Sequence, residues 1–218
     1  TEITLGLTRP ILSGHMLGEV SHDRLVTSSG TQAGDAILLT KGVPLEGVSI
    51  IARERAETLL AQGHSQAQIE QWQSYLFTPG ISVVKDAQVL QRAVDVHAMH
   101  DPTEGGVATG LHELADASGV GLHIFADRLP ILDAGHQLCS AFGLDPLGTI
   151  ASGALLAAVP ATQADAAITA CEAAGIACFH IGTSVASAAD RLLLGNASAR
   201  PLPMFSRDEI VKLFQEES

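Results

Sequence analysis

The segment Met99–Gly121, MHDPTEGGVATGLHELADASGVG, carries residue types that seed a helix. It then sets two glycines, Gly105 and Gly106, in what would be its first turn. Asp101 suits the N-cap, Pro102 the first helical position and Glu104 the third, as in a capping box. Each glycine costs such a helix about 1 kcal/mol relative to alanine. One chemistry that justifies the cost is anion binding. The first turn offers unpaired N–H groups at the positive end of the helix dipole, and a bare backbone lets a phosphate or carboxylate reach them. Asp101 or Glu104 could then hold a magnesium ion that bridges to the phosphate. The other justification is close packing of this turn against another backbone, which also demands glycine. A P-loop is excluded, because no Gly-Lys-Ser/Thr follows. Spacing alone leaves both readings open.

Other reactive residue types carry less. His97 and His100 are spaced H-x-x-H, with His112 further on, but acidic partners at zinc spacing are missing. They read as a solvated or hydrogen-bonded pair ahead of the helix. Glu46-Gly47 reads as an ordinary first turn, and Trp72 and Tyr75 as packing residues. No Ser-His-Asp arrangement, Gly-x-Ser-x-Gly elbow or pair of glycosidase carboxylates can be justified, so no catalytic residue is assigned. Cys139, Cys171 and Cys178 stand in apolar surroundings without a Cys-x-x-Cys pair, and read as small core residues in a reducing cytoplasm.

Bulk properties narrow the partners. The 218 residues are 46% hydrophobic and 17% charged, enough for one good core or one domain plus a piece of another. No apolar run approaches the roughly 20 residues of a membrane span. Arg9, His15 and Glu19 interrupt the early apolar stretches, so no signal peptide is visible. The formal net charge of −12, with the basic residues scattered, argues against a nucleic-acid surface. An anionic ligand must therefore meet backbone N–H groups or a bridging cation. Thr1 in place of methionine suggests a chain processed or excised from something longer. Asn196-Ala-Ser198 fits a glycosylation sequon, a triplet that often arises by chance.

The elements that must position the glycine turn follow from periodicity and punctuation. Arg9–Val20 reads as one extended strand, followed by a Ser/Thr/Gly-rich turn region that suits a domain boundary. Ala36–Thr40 is a buried strand, and helical spacing runs from Pro44 to Gln62 with Gly63 as its terminator. Helices are expected at Ser65–Phe77, Val89–Val96, after Asp101 to Gly119, and at Ile131–Phe142. Strands are expected at VGLHIFA, GALLAAVP, ACFHIGTSV and DRLLLG. Thr162 is placed to cap a helix ending at Gly175, and Ser206 with Glu209 forms a capping box for a last short helix, Asp208–Phe214. Strands and helices alternate irregularly, which gives an α+β fold with helices on a mixed sheet.

Three segments resemble one family. HDPTEGG with its helix and SGVG, the stretch Gly143–Pro160 (GLDPLGTIASGALLAAVP), and GDAILLTKGVPLEGVSIIARE are similar to the C-terminal domain of the aminoimidazole ribonucleotide (AIR) synthetase superfamily. The pattern is nearest the hydrogenase-maturation dehydratase branch. The resemblance implies a three-layer α/β/α domain with a mixed sheet and a ferredoxin-like element. It also implies ATP- and magnesium-dependent chemistry on a phosphorylated small molecule or nucleotide, and a homodimer. Residues 31–218 would be the C-terminal domain, and residues 1–30 the last strand and linker of a truncated ATP-binding domain, with Thr1 and Glu2 the remnant of its Gly-Gly-x-Thr motif. Asp101, Thr103, Gly105 and Gly106 match the phosphate-facing motif, with magnesium at Asp101, and Ser152 and Gly153 match the small residues of the second signature. The fragment alone is then expected to be inactive. The hydrogenase-maturation enzymes end in a tail with a reactive cysteine, whereas this chain ends FQEES, so the resemblance does not carry their cysteine chemistry over to it. The competing expectation is a non-catalytic binding or assembly module that kept the fold.

Overall fold

A computed structural model describes residues 11, 13–195 and 198–215. Thr1 and Glu2, part of the Arg9–Val20 segment and most of the Asn196 sequon lie outside the described residues. Seven strands form one sheet: β1 (Ala36–Thr40), β2 (Ala98–His100), β3 (Gly121–Phe125), β4 (Leu156–Val159), β5 (Cys178–Val185), β6 (Arg191–Leu194) and β7 (Ala199–Pro201), in the order β2-β4-β1-β5-β3-β6-β7. Among the described strand pairs only β3–β6 is parallel, so the sheet is mixed. β4 and β5 run parallel on either side of β1, joined by helix α7 (Ala164–Ala173), which is the split β-α-β of a ferredoxin-like element.

Alternation along β1 shows why the sheet is covered on both faces. Ile37 and Leu39 join Leu156, Ala158, Leu122 and Ile124 beneath helix α5 (Gly106–Ser118), through Val107, Leu111 and Leu114. Ala36 and Leu38 point the other way, with Ala157 and Val159, onto helix α4 (Val84–Ala93) and α7. All five β1 residues are buried, as a strand covered on two faces requires. The result is three layers, helix on sheet on helices. A third apolar cluster ties helices α1 (Leu45–Glu54), α2 (Ala56–Ala61), α3 (Gln66–Gln73) and α6 (Asp133–Ala141) together through Ile51, Ile69, Trp72 and Leu138.

Several element boundaries differ from the sequence reading. The single helix expected over 44–62 is two, broken at Arg55 (φ −121°, ψ 23°), although Gly63 terminates the second with φ +95°. Residues 11 and 13–20 carry no strand, and Met16 and Leu17 are almost fully exposed: no neighbouring strand lends them hydrogen bonds. The helix expected from Val89 starts five residues earlier, at Val84. Thr162 sits in a 3₁₀ turn, and the Thr162 hydroxyl makes no cap to α7. The final turn, Glu209–Phe214, is 3₁₀ and is capped by Asp208 rather than by Ser206. No helix among the described residues is long and apolar enough to cross a membrane.

Candidate functional site

The loop 101–105 leaves β2 and turns into α5. The capping role expected of Asp101 is not seen, because the helix starts at Gly106 with Gly105 as its N-cap. Both glycines have left-handed backbones, φ +77° at Gly105 and +67° at Gly106. A Cβ on Gly106 would lie 2.4 Å from the Leu147 carbonyl oxygen and 2.7 Å from that of Thr149. The bare backbone at Gly106 therefore serves close approach of another chain segment, the second of the two readings.

That segment is the second signature. The Ala108 N–H donates to the Leu147 carbonyl at 3.0 Å, and the Thr103 carbonyl accepts from Ala151 N–H at 3.3 Å and from Gly106 N–H at 3.1 Å. The start of α1 joins them, with Gly47 N–H donating to the Ile150 carbonyl at 3.1 Å. Two motifs separated by some forty residues thus meet in one place. Asp101 and Glu104 are exposed on the outer side of the loop, Thr103 is half-buried, and both glycines are buried. Ser152 is half-buried. Gly153 faces elsewhere: its carbonyl accepts from the Lys41 ammonium at 2.8 Å, and its φ of +106° is held against Gly80 and Ile81.

Two groups in and beside the site were not assigned there from the sequence. Asp208, 8% exposed, accepts N–H bonds from Gly105 at 2.7 Å, from Ile150 at 3.3 Å and from Ile210 at 2.8 Å. One carboxylate thus fastens the α5 entrance, the second signature and the C-terminal turn. Burial pushes its carboxyl above the usual carboxylate range, the three amide bonds act in the opposite sense, and the charge of Glu104 adds to the rise. An aspartate ahead of Glu209 is an N-cap type, and that was its available signal. The other group is Lys41, the one described non-glycine residue with positive φ (60°). Its ammonium, with the side chain 9% exposed, donates to the carbonyls of Ser82 at 2.7 Å and Gly153 at 2.8 Å. It pairs with buried Asp86 at 3.2 Å.

The histidines pair with carboxylates rather than with one another. His97 meets Asp35 at 2.9 Å, and His100 meets Glu113 at 2.8 Å. His112 is buried against the Pro203 carbonyl. Among the described residues no group of three or more His, Cys, Asp or Glu is disposed to hold a metal ion. The three cysteines are free and buried, and burial lifts the Cys139 thiol to about 11, which keeps it protonated and unreactive at neutral pH.

The family described as AIR synthase related protein, C-terminal domain, matches residues 32–195. A putative hydrogenase expression/formation protein of Methanocaldococcus jannaschii is 28% identical over 165 residues, covering 76% of this chain and 46% of that protein. Carbamoyl dehydratase HypE of Azotobacter vinelandii is 32% identical over 162 residues, covering 72% of this chain and 44% of the relative. The chain thus spans less than half the length of these relatives. Among solved structures, the hydrogenase maturation protein HypE in complex with ATP superposes with a TM-score of 0.63 at 23% identity, over 90% of this chain and 57% of the other. That likeness is one of fold.

Proposed function

Since the chain belongs to the AIR synthase related family by its C-terminal domain, we propose that it is the C-terminal half of an ATP-dependent enzyme. In that enzyme the loop Asp101–Gly106 and Ser152 line one wall of a cleft whose other wall is an ATP-binding half, with Gly153 shaping the turn from behind. Residues 1–30 would belong to that other half. The ligand is a nucleotide or another phosphorylated small molecule. Asp101 and Thr103 meet it directly, whereas Gly105, Gly106 and Gly153 give the backbone its shape.

One observation carries this reading: Ala151 N–H donates to the Thr103 carbonyl at 3.3 Å. Two motifs remote in sequence are held as a single surface, with Asp101 and Glu104 exposed upon it. A magnesium ion carried by a nucleotide takes only one or two carboxylates from a protein, the rest being phosphate and water. Asp101, with Glu104 beside it, fits that demand. The bound ion would neutralise phosphate charge, while this chain positions the ligand.

The test compares the 218-residue chain with the longer protein that contains an ATP-binding half. The chain alone should show no ATP turnover. In the longer protein, Asp101→Asn and Thr103→Val should each lower ATP turnover at least about tenfold, the scale of one lost charge-assisted contact. Turnover by the chain alone, or full activity in both variants, would refute the proposal.

A further inference from the structure

Cys171 sits in the last turn of α7, and Cys178 is the first residue of β5. Between them the chain reverses at Gly175 (φ +76°), and the N–H groups of Ala174 and Ile176 both donate to the Cys171 carbonyl, at 3.0 and 2.9 Å. That turn sets both side chains in the apolar cluster shared by the sheet, α4 and α7, with the Cys178 S–H directed at the Cys171 sulfur. Cys139 belongs to a different cluster, where its thiol meets the Thr149 hydroxyl at 3.7 Å.

We infer that Cys171 and Cys178 are an oxidation site of this chain, a dithiol that a small peroxide converts into an intramolecular disulfide. The inference is independent of the phosphate-facing loop. A cavity of about 430 Å³, walled by the turn Gly175–Ala177 with Lys41, Lys85 and Asp86, brings solvent up to the turn that joins the two cysteines. Cys171 is fully buried and Cys178 is 6% exposed, which keeps out the thiol of a second chain and leaves each sulfur the other as partner. The Cys178 S–H holds the Cys171 thiol below its ordinary value, as a nucleophilic thiolate requires, while burial and the Asp86 charge oppose it. Lys41 offsets that charge, pairing with Asp86 at 3.2 Å. The Cys171 thiolate attacks the peroxide O–O bond, keeps one oxygen as a sulfenic acid and releases hydroxide, which leaves as water with the thiol proton. The Cys178 sulfur then displaces the sulfenic oxygen, the S–S bond closes and a second water departs. Two thiols and one peroxide thus become one disulfide and two waters. The bond would fasten the turn whose carbonyls hold both lysines. Ala174 accepts from the Lys85 ammonium at 2.6 Å, and Ala177 from the Lys41 N–H at 2.8 Å.

Hydrogen peroxide, added to the folded 218-residue chain, is the probe. After catalase removes the excess, remaining thiols are alkylated in urea and the chain is cut after Asp and Glu. Asp145, Asp165 and Glu172 lie between the cysteines, so each cysteine falls in its own peptide for mass spectrometry. The Cys171 and Cys178 peptides should appear joined, lighter by the two hydrogens lost and separable by dithiothreitol, with Cys139 still alkylated. The joined pair should form at least about tenfold faster than Cys139 is consumed. In Cys178→Ser, Cys171 should stop at the sulfenic acid and be trapped by dimedone. The parent chain alone decides the matter if that variant folds poorly. Oxidation of Cys139 as fast as the pair, a linkage between chains, or a pair that joins only in urea each overturns the inference.

Discussion

At Gly106 two constraints coincide, and a neighbouring case separates them. Gly119 has the same φ of +67°, yet a Cβ there would meet nothing within 4 Å. Gly119→Ala should therefore cost only the left-handed backbone, about 1–2 kcal/mol. Gly106→Ala adds a collision with two backbone carbonyls, and should cost at least about 3 kcal/mol. Urea unfolding midpoints of the two variants measure the difference. Asp208 adds a pH signature. Its carboxyl is raised in the folded chain, so between the ordinary carboxylate value and that raised value the folded state holds more protons than the unfolded one. Stability contributed by this group is then greatest at low pH and falls as pH rises through that window. Asp208→Asn should abolish the fall, seen as the difference between the two stability–pH curves. At neutral pH the same variant leaves an amide unpaired, a cost of about 1–3 kcal/mol.

Elements were legible where local chemistry sets them. Gly119 and Gly175 end α5 and α7 as their left-handed φ values require, and the apolar rows of β1, β4 and β5 gave the sheet its strands. The start of α5 differs from the local reading because Gly106 obeys a contact with residues 147–149 and the Gly105 N–H is taken by Asp208, neither of which local spacing reveals. β2 escaped notice at three residues, too short for a period to show. Asp208 lies 103 residues from the amide it holds, so only the fold brings it to the site. Lys41 is the clearest tertiary device. Its ammonium joins the end of β1 to the loop before α4 and to Gly153, and it neutralises an Asp86 that is 1% exposed. Lys41→Met should cost about 3–5 kcal/mol, because it strands that carboxylate. Adding Asp86→Leu should recover a good part of the loss, measured by thermal unfolding of the single and double variants.

For the molecule as a whole, the exposed apolar segment before residue 26 is its most unbalanced surface. Met16 is 94% exposed, Leu17 99% and Val20 58%. On the proposed reading this segment packs in the ATP-binding half, and the 218-residue chain by itself is expected to pair with a second copy through it. Deleting residues 9–20 should leave the unfolding midpoint of the sheet within about 0.5 kcal/mol of the parent. Light scattering should show the parent chain as a dimer and the shortened chain as a monomer. The same segment leads into a stitched region. Thr27 bridges Ala98, the Ser28 hydroxyl donates to the Met99 carbonyl, and Gly30 is pressed on the His97 carbonyl. All three partners lie in or beside β2, whose last residue, His100, immediately precedes Asp101. The N-terminal arm is therefore tied, through one short edge strand, to the loop 101–105. On the proposed reading, a shift of an ATP-binding half joined to that arm would reach the loop 101–105 through this edge before it reached the antiparallel centre of the sheet.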